Sequence, residues 1–380
     1  MTQVRGTSLE LESITLVASA LVVCAHVVCG CGGGTASEPS TPSTPPAPPT
    51  ASATPAYTLH EWGVVRSEPG DRLRVSAAPP PQQARYFFSP DAVVEKPVIY
   101  VHVEGDAPLA LRSLRVTADV NVVEHWPLTG APLGTSQIEW RDLSASRVHC
   151  DATHYPTADE APCDTITPTS DCEALALASY EASSSSCLTL PDGSHQNLLF
   201  YRSHTRVPLP IAVTREGEGV GITASATLAD TSIVWVRDGR ASIVPAPAAG
   251  THVALPMPTE IADRAIVTLS EEMVRRGLTD DEVLTFWRAW RTTLTGEESR
   301  PIEELPRAVA AEEVLVEQPP LPREDRPMER GPIEEIPAPG PVDVVFYFLP
   351  RETIDAIARI EADPPPREVV RVLGVIQAPG

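Results

Sequence analysis

His60 and Glu61 stand side by side, directly ahead of Trp62-Gly63, and these are the residue types used for general acid–base work and for metal ligation. On an extended strand, successive side chains point to opposite faces, so the pair does not act on one substrate atom unless a bulge intervenes. A structural role would pair Glu61 with an arginine such as Arg202 and let His60 cap a sheet edge. A chemical role would combine His60 or Glu61 with His102, His125 or His204 from neighbouring strands in a hydrolytic or metal site. The catalytic candidates are therefore His60, Glu61 and Arg202. No metal site and no cofactor is assigned from the sequence.

Four cysteines, Cys150, Cys163, Cys172 and Cys187, fall in one polar segment between Ser144 and Gln196. In an exported chain an even count reads as two disulfides, with three connectivities open. Sequential pairing, Cys150 with Cys163 and Cys172 with Cys187, closes the smallest loops and is the expected one. A metal site built from His149, Cys150, His154 and a later cysteine lacks a Cys-x-x-Cys knuckle, and an oxidising compartment opposes free thiolates. Asp192-Gly-Ser194-His195 is expected to be a polar turn, because triads assemble from distant segments and adjacency is not evidence for one. Gly217-Glu-Gly219-Val-Gly221 has neither a following helix nor a lysine, which excludes a phosphate cradle.

These residues sit behind an N-terminal region of another kind. Ile14 to Gly30 is an apolar run shorter than the roughly 20 residues that span a bilayer, and it reads as a signal peptide over residues 1–30. It ends in Val28-Cys29-Gly30-Cys31, the pattern of a bacterial lipobox, which makes Cys31 the expected lipidation site, carrying palmitate or another acyl chain. Residues 31–56 form a Gly/Ser/Thr/Pro tract with a single charge, Glu38, read as a disordered tether. The expected partner is thus a membrane, reached through the lipid anchor. Gly32 in place of aspartate after Cys31 favours the outer over the inner membrane.

Composition narrows the rest. A formal net charge of −22 over 380 residues disfavours nucleic acid as a partner. Forty-one prolines argue against long uninterrupted helices. Short apolar runs at Leu59 to Arg66, Pro97 to Glu104, Leu114 to Thr117, Asn121 to Trp126, Leu198 to Arg202, Pro210 to Arg215 and Ile222 to Leu228 predict strands. Asp238-Gly239 between Ile233 to Arg237 and Arg240 to Val244 predicts a type I′ hairpin.

A helical island near residues 265–293 follows: Ser270 opens a short helix that Gly277 closes, and Thr279 with Glu282 forms a capping box for a second. Val283, Phe286, Trp287 and Trp290 lie on one face of that helix, expected to pack on a sheet. The fold class is mainly β, with β-sandwich-like antiparallel sheets. The expected organisation is a β-rich domain over 57–256 with a Cys-rich insert at 144–196, then 257–380 with an acidic Pro-rich loop at 297–341 and C-terminal strands at Val342 to Leu349 and Arg367 to Ile376.

Several segments in this order carry a resemblance. Leu59-His60-Glu61-Trp62-Gly63-Val64, Glu95-Lys96-Pro97-Val98-Ile99-Tyr100, Asn197 to Arg202, Gly277-Leu278 with the Trp helix, Tyr347 to Arg351 and Val370-Arg371-Val372 together resemble an uncharacterised family of exported bacterial proteins, common in myxobacteria and planctomycetes, that begin with a HEWGTF-like motif. The chain departs from it at Val64, where the family usually has threonine, in its Cys-rich insert, and in the acidic loop that splits the Trp helix from the next strand. The resemblance implies an exported β-rich protein and assigns no catalytic roles.

Two readings of function stand. One is a non-enzymatic surface lipoprotein that binds an envelope polymer or a protein partner, which the lack of Walker, HExxH and Gly-x-Ser-x-Gly patterns favours. The other is an exported, metal-assisted hydrolase with a site near His60 and Glu61. It requires that two or more of His60, Glu61, His102, His125, His204 and Arg202 converge in a concave site.

Overall fold

A computed structural model describes residues 56–67, 92–166, 172–295 and 342–380, with only the backbone described for 92–96. The leader, Cys31, the tether and the acidic stretch 297–341 lie outside the described residues. The rest belongs to one compact unit, Ala53–Gly380.

The chain opens with β1 (Tyr57–Ser67) and β2 (Ala92–Val103), then the long β3 (Leu109–Trp126) and β4 (Thr135–Ser146). After the cysteine insert come β5 (Cys187–Thr189), β6 (His195–Gln196), β7 (Leu199–Thr205), β8 (Ile211–Glu216) and β9 (Gly219–Ala224). Next follow β10 (Ser232–Arg237), β11 (Arg240–Pro245), β12 (His252–Leu255), β13 (Glu260–Ile261), α1 (Ala262–Arg275) and α2 (Asp280–Thr295). The C-terminal part is β14 (Asp343–Phe348), α3 (Arg351–Ile357), β15 (Ala358–Asp363) and β16 (Glu368–Gln377).

Among the described residues, thirteen strands form one sheet in the order β13-β11-β10-β14-β16-β1-β2-β7-β3-β4-β5-β6, with β15 against β3. Strands from either side of residue 256 alternate in it. β1 and β16 run parallel, while the other pairs are antiparallel. A separate three-stranded sheet, β12-β9-β8, adds Ile211, Val220 and Ile222 to the core on one face of the large sheet. Helices α1 and α2 cover the other, where Phe286, Trp287 and Trp290 bury themselves beside Trp62, Phe346 and Phe348. Fully burying a side chain of this kind contributes about 1.5–3 kcal/mol. The architecture is mainly β and sandwich-like.

Local chemistry explains the hairpin and the helix boundaries. Asp238 and Gly239 both take positive φ, 51° and 72°, as a type I′ turn demands. Gly277, at φ 104°, ends α1 in the left-handed region. That helix begins at Ala262, eight residues before the expected Ser270, because Ala262, Ala265, Ile266, Leu269 and Met273 already form a buried stripe. The expected strands Leu114 to Thr117 and Asn121 to Trp126 are two halves of β3. Its register against β4 shifts between Thr117 and Val122, and the far edge passes from β15 to β7 at that point.

Candidate functional site: a His–Glu–His cluster under helix α2

His60 lies on β1, which is buried between β16 and β2, so it does not cap a sheet edge as expected. A strand that is apolar on both faces belongs inside the sheet, and every β1 residue from Tyr57 to Val65 is buried. In the antiparallel register His60 is opposite Tyr100 and Thr58 is opposite His102, which makes His60 and His102 diagonal neighbours on one face. Their rings meet with centroids 4.3 Å apart.

That face is the one α2 covers. Glu282 projects from the first turn of α2 and is fully buried. Its Oε2 accepts from His60 Nδ1 at 2.9 Å, and its Oε1 accepts from His102 Nε2 at 2.9 Å. The same carboxylate closes the expected capping box: Thr279 N donates to Glu282 Oε2 at 2.8 Å, and Glu282 N donates to Thr279 Oγ1 at 3.2 Å. Burial alone would push the Glu282 pKa up, but the hydrogen bonds and charges of His102 and His60 outweigh it and hold the group at about 2.

The surroundings fix both rings. His102 Nδ1 lies 3.2 Å from the Ser184 carbonyl, and His60 Nε2 lies 3.4 Å from Thr58 Oγ1. Ser184 is held in turn by its own N–H, which donates to Asp281 Oδ2 at 3.0 Å. Beside the cluster, Trp62 Nε1 donates to Tyr100 Oη at 3.1 Å, and Tyr100 Oη donates to the Tyr180 carbonyl. His60 and His102 keep side-chain exposures of 10% and 17%, so part of each ring remains open to water. Two surface grooves lie elsewhere, one beside Leu128, Trp140 and Leu190 and the other beside Leu228, Glu272 and Arg276.

Glu61 faces the other side of the sheet, as strand alternation requires. Its partner is Arg371 on β16 and not Arg202: the two are aligned in the parallel register, and Arg371 Nε donates to Glu61 Oε2. Tyr201 Oη donates to Glu61 Oε1 at 2.6 Å, and Arg371 also donates to Asp355 Oδ1 at 2.9 Å. Burial and the Glu61 charge raise the Tyr201 pKa well above that of a free phenol. The Glu61–Arg371 pair itself is closed, with both side chains at most 1% exposed, while Asp355 meets it from the surface.

The remaining candidates disperse. Arg202 lies 3.9 Å from Glu124. Burial pushes the Glu124 pKa up to about 7, against the pull of the Ala174 N–H and Arg202. His125 accepts from Thr129 N at 3.1 Å, and burial lowers its pKa to about 4. His204 bonds Asn121 Oδ1 at 3.0 Å. Of the six residues named for a hydrolytic site, only His60 and His102 converge. Trp287 and Trp290 are 2% and 0% exposed, which makes them core residues packed on the sheet, as expected.

The cysteines form two disulfides, but nested ones: Cys150–Cys187 and Cys163–Cys172. Sequential pairing fails because β5 lies antiparallel to the end of β4, with Ser146 opposite Cys187. Cys187 N then donates to the Val148 carbonyl at 2.7 Å, which brings Cys150 to a Cα–Cα distance of 4.7 Å from Cys187. Bonded cysteines remove the His149/Cys150/His154 metal reading. They also indicate an oxidising, extracytoplasmic setting. Asp192-Gly-Ser194 is the turn joining β5 to β6, where Asp192 Oδ1 accepts from Ser194 N at 2.9 Å and Ser194 Oγ at 2.7 Å.

Three partners escaped the sequence reading: Glu282 as a mate of the histidines, and Tyr201 and Arg371 as mates of Glu61. Glu282 carried a usable signal, because it stands four residues before Phe286 and so shares the buried face of α2. Arg371 carried none, since its pairing depends on a parallel contact 310 residues along the chain.

The chain matches no protein-family model and no curated protein. Among solved structures, the Fcho1 Mu homology domain of Danio rerio with a bound Eps15 peptide is similar over 86% of this chain and 97% of that one, at 10% identity and a TM-score of 0.27. A likeness at that level assigns neither a fold family nor a function to this chain.

Proposed function

We propose that this protein is a lipid-anchored extracytoplasmic module of the bacterial cell envelope, of the exported HEWGTF-like kind, which binds an envelope polymer or protein partner and does not turn over a substrate. The observation that carries the reading is the pair of buried disulfides, Cys150–Cys187 and Cys163–Cys172, downstream of a leader that ends at Cys31. The burial of both carboxylates supports the binding role, because Glu61 and Glu282 are fully covered. Acylation at Cys31 holds the module on the membrane, since each buried methylene contributes about 0.8 kcal/mol. The Gly32 to Pro55 tract then spaces it from the bilayer, and the outer membrane is the expected location.

The test is metabolic labelling with palmitate in an expressing bacterium. Label should follow the wild-type chain into the outer-membrane fraction and vanish in Cys31→Ala. Undiminished label in that variant would move the anchor elsewhere and remove the lipobox reading.

One observation favours the second reading, an exported metal-assisted hydrolase: His60 and His102 do meet, over a carboxylate. That reading requires hydrolysis of envelope glycan or peptide by the purified chain and its loss in Glu282→Gln. Absence of turnover with metal supplied would reject it.

A further inference from the structure

Ring nitrogens that face oxygen acceptors need something between them, either a proton or a metal ion. His102 faces acceptors at both ends: Nε2 is 2.9 Å from Glu282 Oε1, and Nδ1 is 3.2 Å from the Ser184 carbonyl. A neutral imidazole has one N–H and satisfies only one of them. His60 places Nδ1 at 3.1 and 2.9 Å from the two Glu282 oxygens, and its Nε2 lies 3.4 Å from the Thr58 hydroxyl, which can donate to it or accept from it.

We infer that His60 Nδ1, His102 Nε2 and the Glu282 carboxylate form a binding site for one divalent transition-metal ion of the zinc class. All three ligand atoms lie within 4.8 Å of one another. With the ion in place, His102 Nδ1–H donates to Ser184, which removes the His102 conflict, and His60 Nε2–H donates to Thr58. Metal-ligating histidines hold their outer nitrogen in this way on a backbone carbonyl or another oxygen. The carboxylate has its own outer partner, the Thr279 N–H at 2.8 Å. Tetrahedral zinc at about 2.0–2.1 Å from each ligand sets neighbouring ligand atoms roughly 3.3 Å apart, so the separations of 3.1 and 2.9 Å from Glu282 Oε1 to His60 Nδ1 and His102 Nε2 need to open by only a few tenths of an ångström.

The donor set selects the ion. Two imidazoles and one carboxylate suit zinc, cobalt or nickel, whereas calcium and magnesium require mostly oxygen. Three protein ligands leave a fourth position to water, and the two rings are 10% and 17% exposed. The ion would tie β1 and β2 to the first turn of α2. The site stands whether or not the module turns over a substrate, and its test does not depend on acylation.

The test is titration of the full chain, purified in detergent without a histidine tag, with zinc and with cobalt. One equivalent per chain should bind, cobalt should give the visible spectrum of a four-coordinate ion, and magnesium and calcium should not compete. His60→Ala and His102→Ala should weaken binding by more than the roughly 10–100-fold that follows loss of an outer partner. His195→Ala should leave binding unchanged, although His195 lies beside Cys150 and Cys187, because those sulfurs are bonded to each other.

If either histidine variant fails to fold, carbethoxylation of the wild-type chain mapped by mass spectrometry decides. Zinc should protect His60 and His102 and leave His195 reactive. No stoichiometric uptake of zinc or cobalt, uptake that persists in the folded double variant, or protection at other histidines would overturn the site and leave the cluster held by protons.

Discussion

Glu61 and Arg371 stand opposite each other on the parallel strands β1 and β16 and form an ion pair that is 0% and 5% exposed as residues. Taking two charges out of water is costly, and the attraction between them restores that only while both are present. Glu61→Leu and Arg371→Met should therefore each destabilise the fold by about 3–5 kcal/mol, whereas the double variant that combines the two substitutions should recover much of the loss. Urea unfolding of wild type, the two single variants and the double variant measures this. Near-additive losses would show that the pair is not coupled.

Glu124 and His125 are neighbours on β3 whose shifts oppose each other in pH. Glu124 rises from 4.5 to about 7, chiefly by burial, so the folded state holds the extra proton and stability falls as pH rises across that window. His125 falls from 6.5 to about 4, also by burial, so the unfolded state holds the extra proton and stability falls as pH drops across its window. Between pH 4.5 and 6.5 the two slopes offset. Glu124→Gln should expose the His125 slope, with melting temperature rising with pH, and His125→Asn should expose the opposite one. Arg202 and Glu173, which also face Glu124, stay in place in both variants. Thermal melts at half-unit steps that stay parallel to wild type would reject the assignment.

How much of this was readable from sequence depends on how local the cause is. β1, the Asp238-Gly239 hairpin and the α2 capping box follow from neighbours within a few residues and stand where expected, while β2 starts at Ala92, ahead of the expected Pro97. β4 carries Glu139, Arg141 and Asp142 within its span, and α3 with β15 is short and charged, so hydrophobic alternation did not reveal them. The cysteine insert folds as 3₁₀ turns at Cys163–Thr165 and Glu173–Tyr180, which have no strong period to read. In the site, His60 and His102 were legible as a strand pair, but the residue that joins them was visible only as a helix cap. A buried polar contact between distant elements is set by topology, and a single chain's pattern does not encode it.

The nested disulfides should differ in what they contribute. Cys150–Cys187 spans 37 residues and Cys163–Cys172 only 9, and in the chain-entropy treatment the longer loop restrains the unfolded state more, by about 1 kcal/mol. Replacing Cys150 and Cys187 with serine should lower stability by about 3–4 kcal/mol, a larger loss than the same change at Cys163 and Cys172. Peptide mapping under non-reducing conditions should recover the two nested links. A Cys150–Cys163 peptide would restore the sequential pairing.

Glu282 serves two structures at once, and separate substitutions resolve them. Thr279→Ala removes the hydroxyl that accepts from Glu282 N and meets the exposed Ser184 Oγ and keeps the Thr279 N–H on the carboxylate, so it should cost about 1 kcal/mol, the usual value of an N-cap. Glu282→Gln removes the charge that both histidines face and should cost more, about 1.5–3 kcal/mol for charge-assisted hydrogen bonds. The two differ in acid as well. Glu282 falls from 4.5 to about 2 because the His102 and His60 contacts outweigh its burial, so its contribution is complete above pH 4.5 and is lost as pH falls toward 2. Thr279→Ala should keep that acid limb and Glu282→Gln should flatten it, as followed by far-UV circular dichroism from about pH 5 to about 2. If both variants keep the limb, the carboxylate is not what ties α2 to the histidines, and the link between sheet and helix rests on the apolar face that carries Phe286 and Trp290.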